Sequence, residues 1–162
     1  MDKILDRETL ILSLRSEKAA AHRVALANGI FDLLHVGHVR YLQAAKREAD
    51  VLVVAVNGDA SARDLKGPGR PLIPAAERAE VIAALACVDY VVVFPEPTVA
   101  PLIRLLAPDV HCKGTDYTED SVPEREAVRE AGGRVAIVGD PKEHATRDLI
   151  RLVIERLGKP AQ

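Results

Sequence analysis

The stretch "VLVVAVN" (51–57) constrains the fold more than any other part of the chain. Its apolar residues run on without polar alternation, so both faces of the segment must be covered. That is the signature of a strand in a parallel sheet with helices on either side. Four shorter apolar runs resemble it: "VALAN" (24–28), "YVVVF" (90–94), "DVHC" (109–112) and "RVAIV" (134–138). Helical segments alternate with them. Residues 37–49 place Val39, Leu42, Ala45 and Ala49 on one face, and residues 75–86 follow Pro74. Residues 98–107 carry a proline in the first turn, and 123–131 open on Pro123. Proline suits a helix start because its φ is fixed and its missing N–H is not needed there. Residues 145–157 close the series, with Leu149, Leu152, Val153 and Ile154 expected to turn inward. Alternating strands and helices with right-handed crossovers predict an α/β fold, a Rossmann-like three-layer sandwich whose five-stranded parallel sheet has the order 3-2-1-4-5.

Composition sets the rest of the frame. With 162 residues the chain is expected to form one domain: a helical extension over 1–23, with an amphipathic helix over 4–20, ahead of a core over 24–157. Aromatic residues are only 3% of the chain and Trp is absent, so Ala, Val and Leu must build the core. A net charge of −2 gives no general attraction for nucleic acid. Cys87 and Cys112 stand far apart without metal-ligand spacing, which fits reduced thiols in a cytoplasmic protein. No stretch reaches the length of a membrane span, and the charged N-terminus lacks the pattern of a signal peptide. Leu and Ile within residues 4–14 suggest a helix that pairs two copies as a homodimer.

In open parallel sheets ligands bind beyond the carboxyl ends of the strands, where the strand order reverses. The order above brings three segments to that place: "NGIFDLLHVGH" (28–38), "KGTDYTEDS" (113–121) and "GDPKEHATRD" (139–148). In the first, Gly37 and His38 open a helix whose unpaired N–H groups and positive dipole end favour an anion. Gly37 lets a phosphate approach the backbone, and His35 and His38 can donate ring N–H bonds to its oxygens. A metal is the other reading of two such histidines. Zinc needs a third ligand, for which Asp32 is the only local candidate. Neither a dinucleotide fingerprint nor a P-loop occurs.

The string "NGIFDLLHVGH" resembles the H-x-G-H signature of the cytidylyltransferase-like nucleotidyltransferases. The likeness continues through "LKGPGRPLIPAAERAEVIAAL" (65–85), "VDYVVVF" (88–94) and "HCKGTDY" (111–117), and so covers Val24 to Leu157 in order. Within that family it is most similar to the stand-alone adenylyltransferases that act on D-glycero-β-D-manno-heptose 1-phosphate. The resemblance implies transfer of AMP from ATP to that sugar phosphate, giving ADP-heptose for the lipopolysaccharide core. It implies Mg2+ as the partner of ATP and assigns the metal no protein ligands.

Residue roles follow from the same resemblance. His35 and His38 hold the phosphates, with His38 on the five-coordinate phosphorus. Lys46 stands where relatives place a lysine on phosphate; a solvated surface lysine is the plainer alternative. Arg78 contacts phosphate. Asn28, Gly29, Phe31, Asp32 and Gly37 belong to the nucleotide side, with loop-fixing or turn-capping open for Asp32. Lys113, Gly114 and Asp116 join them after strand 4. Asp59, Lys66, Arg70 and Tyr117 are placed on the sugar, with "LKGPGRP" as a loop over the site. Relatives carry a Ser-Thr-Thr-like stretch at the last helix start. Here His144-Ala145-Thr146-Arg147 replaces it, losing one hydroxyl at Ala145 and gaining a charged donor at Arg147. Altered triphosphate binding is expected.

Two other functions remain open at this stage. One keeps the fold and uses CTP with glycerol 3-phosphate or a similar alcohol phosphate. The other is a nucleotide-binding regulatory protein without turnover, for which Ala145 is the only support.

Overall fold

The computed structural model describes residues 2–141 and 146–158. Its strands are β1 (Val24–Gly29), β2 (Val51–Asn57), β3 (Tyr90–Phe94), β4 (Val110–Lys113) and β5 (Arg134–Ile137). They form one parallel sheet in the order β3-β2-β1-β4-β5, as expected. The helices among the described residues are α1 (Arg7–Ala19), α2 (Val36–Lys46), α3 (Asp59–Lys66), α4 (Ala75–Ala83), α5 (Ala100–Leu106), α6 (Arg125–Glu130) and α7 (Thr146–Leu157).

The valine run explains the layering. Side chains alternate across a strand, so β2 sends Leu52, Val54 and Val56 to one face and Val51, Val53 and Ala55 to the other. The first set packs with Leu42 and Ala45 of α2 and with Ala79 and Ile82 of α4. The second packs with Leu10 and Leu14 of α1, Leu102 and Ile103 of α5, and Val128 of α6. Full burial of each Leu or Ile contributes about 1.5–3 kcal/mol. The central strand β1 pairs with β2 from Val24↔Val51 to Gly29↔Val56, and with β4 from Ala25↔Val110. Chain order reverses between β1 and β4, so the crevice lies beyond their carboxyl ends.

Several expectations need correction. Helix α3 was not anticipated: "DASARDLK" has no apolar stripe, and only Ser61 and Ala62 are buried. Helix α1 starts at Arg7, capped by Asp6 Oδ1 accepting from Thr9 N at 2.8 Å. Ile4 instead lies extended in a parallel bridge to Val91 at the sheet edge. Leu10 and Leu14 of α1 are buried in the chain's own core and so take no part in the apolar surface expected to pair two copies. Leu12 alone among the leucines of α1 is largely exposed. Helix α7 buries no residue. Leu149, Leu152, Val153 and Ile154 were expected to face inward and are 37%, 39%, 55% and 64% exposed. No helix among the described residues is long and apolar enough to cross a membrane.

Candidate active site

The carboxyl ends of β1 and β4 open into a crevice of about 1320 Å³, walled by the loops after β1, β2, β4 and β5 and by the start of α7. Its floor is the first segment. After Gly29 the chain turns sharply at Phe31, a residue in the left-handed region at φ 52°. That conformation costs a non-glycine residue about 1–2 kcal/mol, so surrounding contacts must hold it. A Cβ on Gly29 would lie 3.0 Å from the outer edge of the Phe31 ring, so a side chain there would have to push that ring aside.

The two histidines sit at the N-terminus of α2, His35 as its cap and His38 in its first turn. Their rings stack with centroids 3.8 Å apart at 27°, and the Phe31 ring meets His38 edge-on at 5.3 Å. The backbone N–H of His35 donates to His38 Nδ1 at 3.4 Å. An accepting Nδ1 places the proton of the neutral ring on Nε2. His38 thus presents an Nε2–H donor, with the His35 ring stacked against it, at the positive end of a helix. Gly37 lines the crevice between them.

Asp32 serves the loop above. It is 3% exposed and accepts from Leu72 N at 2.8 Å, Ile73 N at 2.9 Å and Arg70 Nε at 2.5 Å. Burial by itself would raise this carboxyl. The N–H bonds from Leu72 and Ile73 and the Arg70 cation outweigh it and hold the group below the usual range. Asp32 therefore takes the loop-fixing alternative, and Arg70 reaches the crevice wall already paired to it. Lys66 is exposed at the rim.

The second segment supplies a buried cation. Lys113 is 8% exposed, with Nζ 3.4 Å from Glu124 Oε2, 3.4 Å from Asn28 Oδ1, and 4.9 Å from the Tyr117 ring centroid. Gly114 has open space where a Cβ would stand, which admits a ligand close to the backbone. Asp116 and Tyr117 also line the opening. In the third segment Thr146 Oγ1 lies 3.5 Å from Leu33 O, and Arg147 is exposed at the crevice edge. Ala145, on which the altered triphosphate binding was argued, lies outside the described residues.

Three expected site residues are not brought to this crevice. Lys46 is at the far end of α2, bonded to Asp50 O and to Asp89 Oδ2 at 2.6 Å. Eight residues of helix rise carry it about 12 Å along the axis from His38. Arg78 is 1% exposed and its guanidinium is consumed inside the protein, donating to Ile73 O at 2.8 Å, Ile30 O at 2.5 Å and Asp59 Oδ1 at 2.7 Å. A cation with every arm so engaged braces the loops and does not face a phosphate. Asp59 is the third, held as the partner of Arg78.

The sequence reading also missed residues. Tyr41 lines the crevice one turn after His38 and donates its hydroxyl to Cys112 O at 2.7 Å. The i, i+3 spacing from His38 was the available signal. Glu124, buried against Lys113, carried none beyond its place after Pro123. Cys112 is fully buried and burial pushes its thiol up to about 12, so it is an inert core residue.

The comparisons with known proteins agree with this geometry. The cytidylyltransferase-like family model matches residues 26–155. The bifunctional protein HldE of Pelobacter propionicus is 48% identical over 154 residues, covering 95% of this chain and 32% of its own. HldE of Geobacter sulfurreducens is 48% identical over 157 residues, covering 97% of this chain and 32% of its own. The chain thus spans about a third of the length of these curated relatives. Among solved structures, a lipopolysaccharide core biosynthesis protein from Thermoplasma volcanium superposes with a TM-score of 0.62 at 30% identity, over 72% of this chain and 94% of its own. Pantothenate synthetase from Thermus thermophilus shares the fold, with a TM-score of 0.58 at 21% identity over 89% of this chain and 63% of its own. The matched span, the parallel sheet and the histidine pair agree: the chain belongs to the cytidylyltransferase-like family, and it is a nucleotidyltransferase.

Proposed function

We propose that the chain transfers AMP from ATP to D-glycero-β-D-manno-heptose 1-phosphate, releasing pyrophosphate and forming ADP-heptose. The observation that carries the reading is the His35–His38 stack at the N-terminus of α2, facing the Lys113 side of one crevice. The similarity to HldE proteins and to a lipopolysaccharide core biosynthesis protein supports the choice of substrate.

The chemistry asks little of a base. The sugar phosphate is already ionised near neutral pH, so one of its oxygens attacks the α-phosphorus and pyrophosphate leaves. What the site must do is align the two phosphates and offset charge that builds on the five-coordinate phosphorus. His38 Nε2–H and the first N–H groups of α2 are donors oriented before substrate arrives. Lys113 lends positive charge across the crevice, and Arg147 stands at the edge for the distal phosphates. Mg2+ accompanies the triphosphate and neutralises part of its charge. No group of three or more metal-ligating side chains occurs among the described residues, so phosphate and water would be the ion's main ligands.

Pyrophosphate release tests the proposal, with ATP and CTP crossed against the heptose phosphate and glycerol 3-phosphate. Release confined to ATP with the heptose phosphate is expected. His38→Ala should lower kcat about 10²–10³-fold, as loss of one transition-state donor does, without unfolding the protein. Preference for CTP with glycerol 3-phosphate would replace the reading with the cytidylyl one. Near-normal turnover in His38→Ala would refute the site.

A further inference from the structure

Beside the strand that leads to the histidine pair lies a third histidine that the reaction above does not use. His111 is on β4, fully buried, in register with Leu26 of β1. Its Nε2 lies 3.1 Å from Oδ1 of Asn28, two residues farther along β1 and half-buried in the crevice wall. Nδ1 of His111 is buried with no hydrogen-bond partner among the described residues. We propose that His111 is a positioning residue that fixes the Asn28 amide with Oδ1 turned into the protein, so that Asn28 presents its Nδ2–H₂ donors to an acceptor oxygen of the bound nucleotide. The inference rests on the nucleotide-binding reading of the crevice and names a polar contact within it.

The geometry leaves one orientation. Asn28 Oδ1 has two neighbours on the protein side, His111 Nε2 at 3.1 Å and Lys113 Nζ at 3.4 Å. A lysine ammonium can only donate, so the atom facing it must be the carbonyl oxygen. Turning the amide around would set its NH₂ against that ammonium. With the oxygen identified by its place beside Lys113, the ring nitrogen next to it must also donate, which places the histidine proton on Nε2 and leaves Nδ1 as a bare lone pair. An unpaired lone pair on Nδ1 accords with that tautomer, whereas an unpaired buried N–H would be left by the other. Burial, with the nearby Lys113 charge, pushes the His111 pKa down to about 3, so the ring stays neutral and keeps this role across physiological pH. His111 and Lys113 are two apart on one strand and so share a face, which is why both can reach the same oxygen.

A double-mutant cycle on the whole chain tests this, with ATP affinity read by calorimetry and folding by thermal unfolding. His111→Leu should weaken ATP binding about tenfold by freeing the Asn28 amide. His111→Gln, whose amide N–H can reach Oδ1, should recover most of that loss. In an Asn28→Ala background His111→Leu should add less than about twofold, because the group it orients is gone. Equal losses from His111→Leu in both backgrounds would overturn the proposal, as would His111→Gln weakening ATP binding as much as His111→Leu. Should His111→Leu not fold, His111→Met, which likewise has no N–H donor, takes its place alone and on Asn28→Ala with the same outcomes expected. Since ATP affinity needs no acceptor sugar, failure of the heptose assignment leaves this test standing. A wild-type chain that binds no ATP would overturn both.

Discussion

Asp32→Asn separates a structural carboxylate from a ligand-binding one. Asp32 holds the 70–73 segment through Leu72 N, Ile73 N and Arg70 Nε, at 2.8, 2.9 and 2.5 Å. Asparagine keeps the shape and one acceptor oxygen. If that oxygen stays with the two backbone N–H groups, the new NH₂ faces the guanidinium, donor against donor. If the amide turns, the NH₂ faces the backbone N–H groups instead. Either way a charge-assisted bond is lost at a side chain only 2% exposed, and Arg70, 19% exposed, loses its counter-charge. The expected cost is about 2–4 kcal/mol. Urea unfolding at 25 °C and pH 7 measures it. The pH dependence gives a second reading. The folded carboxyl titrates below its ordinary value of 3.8, so its stabilisation is fully present above that pH and is lost as pH falls through the folded value. The gap between wild type and Asp32→Asn should therefore close in acid, because protonated Asp32 also turns a donor toward Arg70. A gap under about 0.5 kcal/mol at pH 7, or one that stays constant into acid, would refute the assignment.

Arg78→Lys should destabilise the fold by about 2–4 kcal/mol in chemical denaturation, since one ammonium cannot replace a guanidinium bonded to Ile30 O, Ile73 O and Asp59. Unchanged stability would mean that the guanidinium is not buried among these partners. Lys46→Ala should leave kcat/KM for pyrophosphate release within about twofold and cost at most about 1 kcal/mol, because its partner Asp89 is 36% exposed and remote from the crevice. A tenfold loss of turnover would return Lys46 to the site. Leu152→Ser on α7, at a side chain 39% exposed, should shift stability by less than about 0.5 kcal/mol, whereas Leu102→Ala in the core should cost about 2–5 kcal/mol. A comparable loss from both would show that α7 is covered in solution.

Much of the candidate site was legible because its signals are local. A helix start is written in a few adjacent residues, so "HVGH" could be placed at the N-terminus of α2 before any contact was known. The first, second and third segments met because strand order and the switch-point rule depend on element sequence alone. Lys46 went astray although its spacing held the answer: helix rise removes it from the phosphate end. Arg78 held a subtler one, since it shares a face of α4 with Ile82, and a cation on an apolar stripe is a buried one. Helix α3 gave no signal, being short and without an apolar stripe.

By itself the sequence determined the layers and the position of the crevice. A valine run with no polar face can only be a strand covered on both sides, and the carboxyl ends of such strands are where ligands collect. Tertiary structure decided which polar groups serve the ligand and which serve the fold. Asp32, Arg70, Arg78 and Lys46 are all ionic residues of similar pattern in the chain. Their ion-pair partners lie 19 to 43 residues away along it. A side chain's partner is set by which strands and loops pack beside it, and that contact exists only once the sheet has assembled.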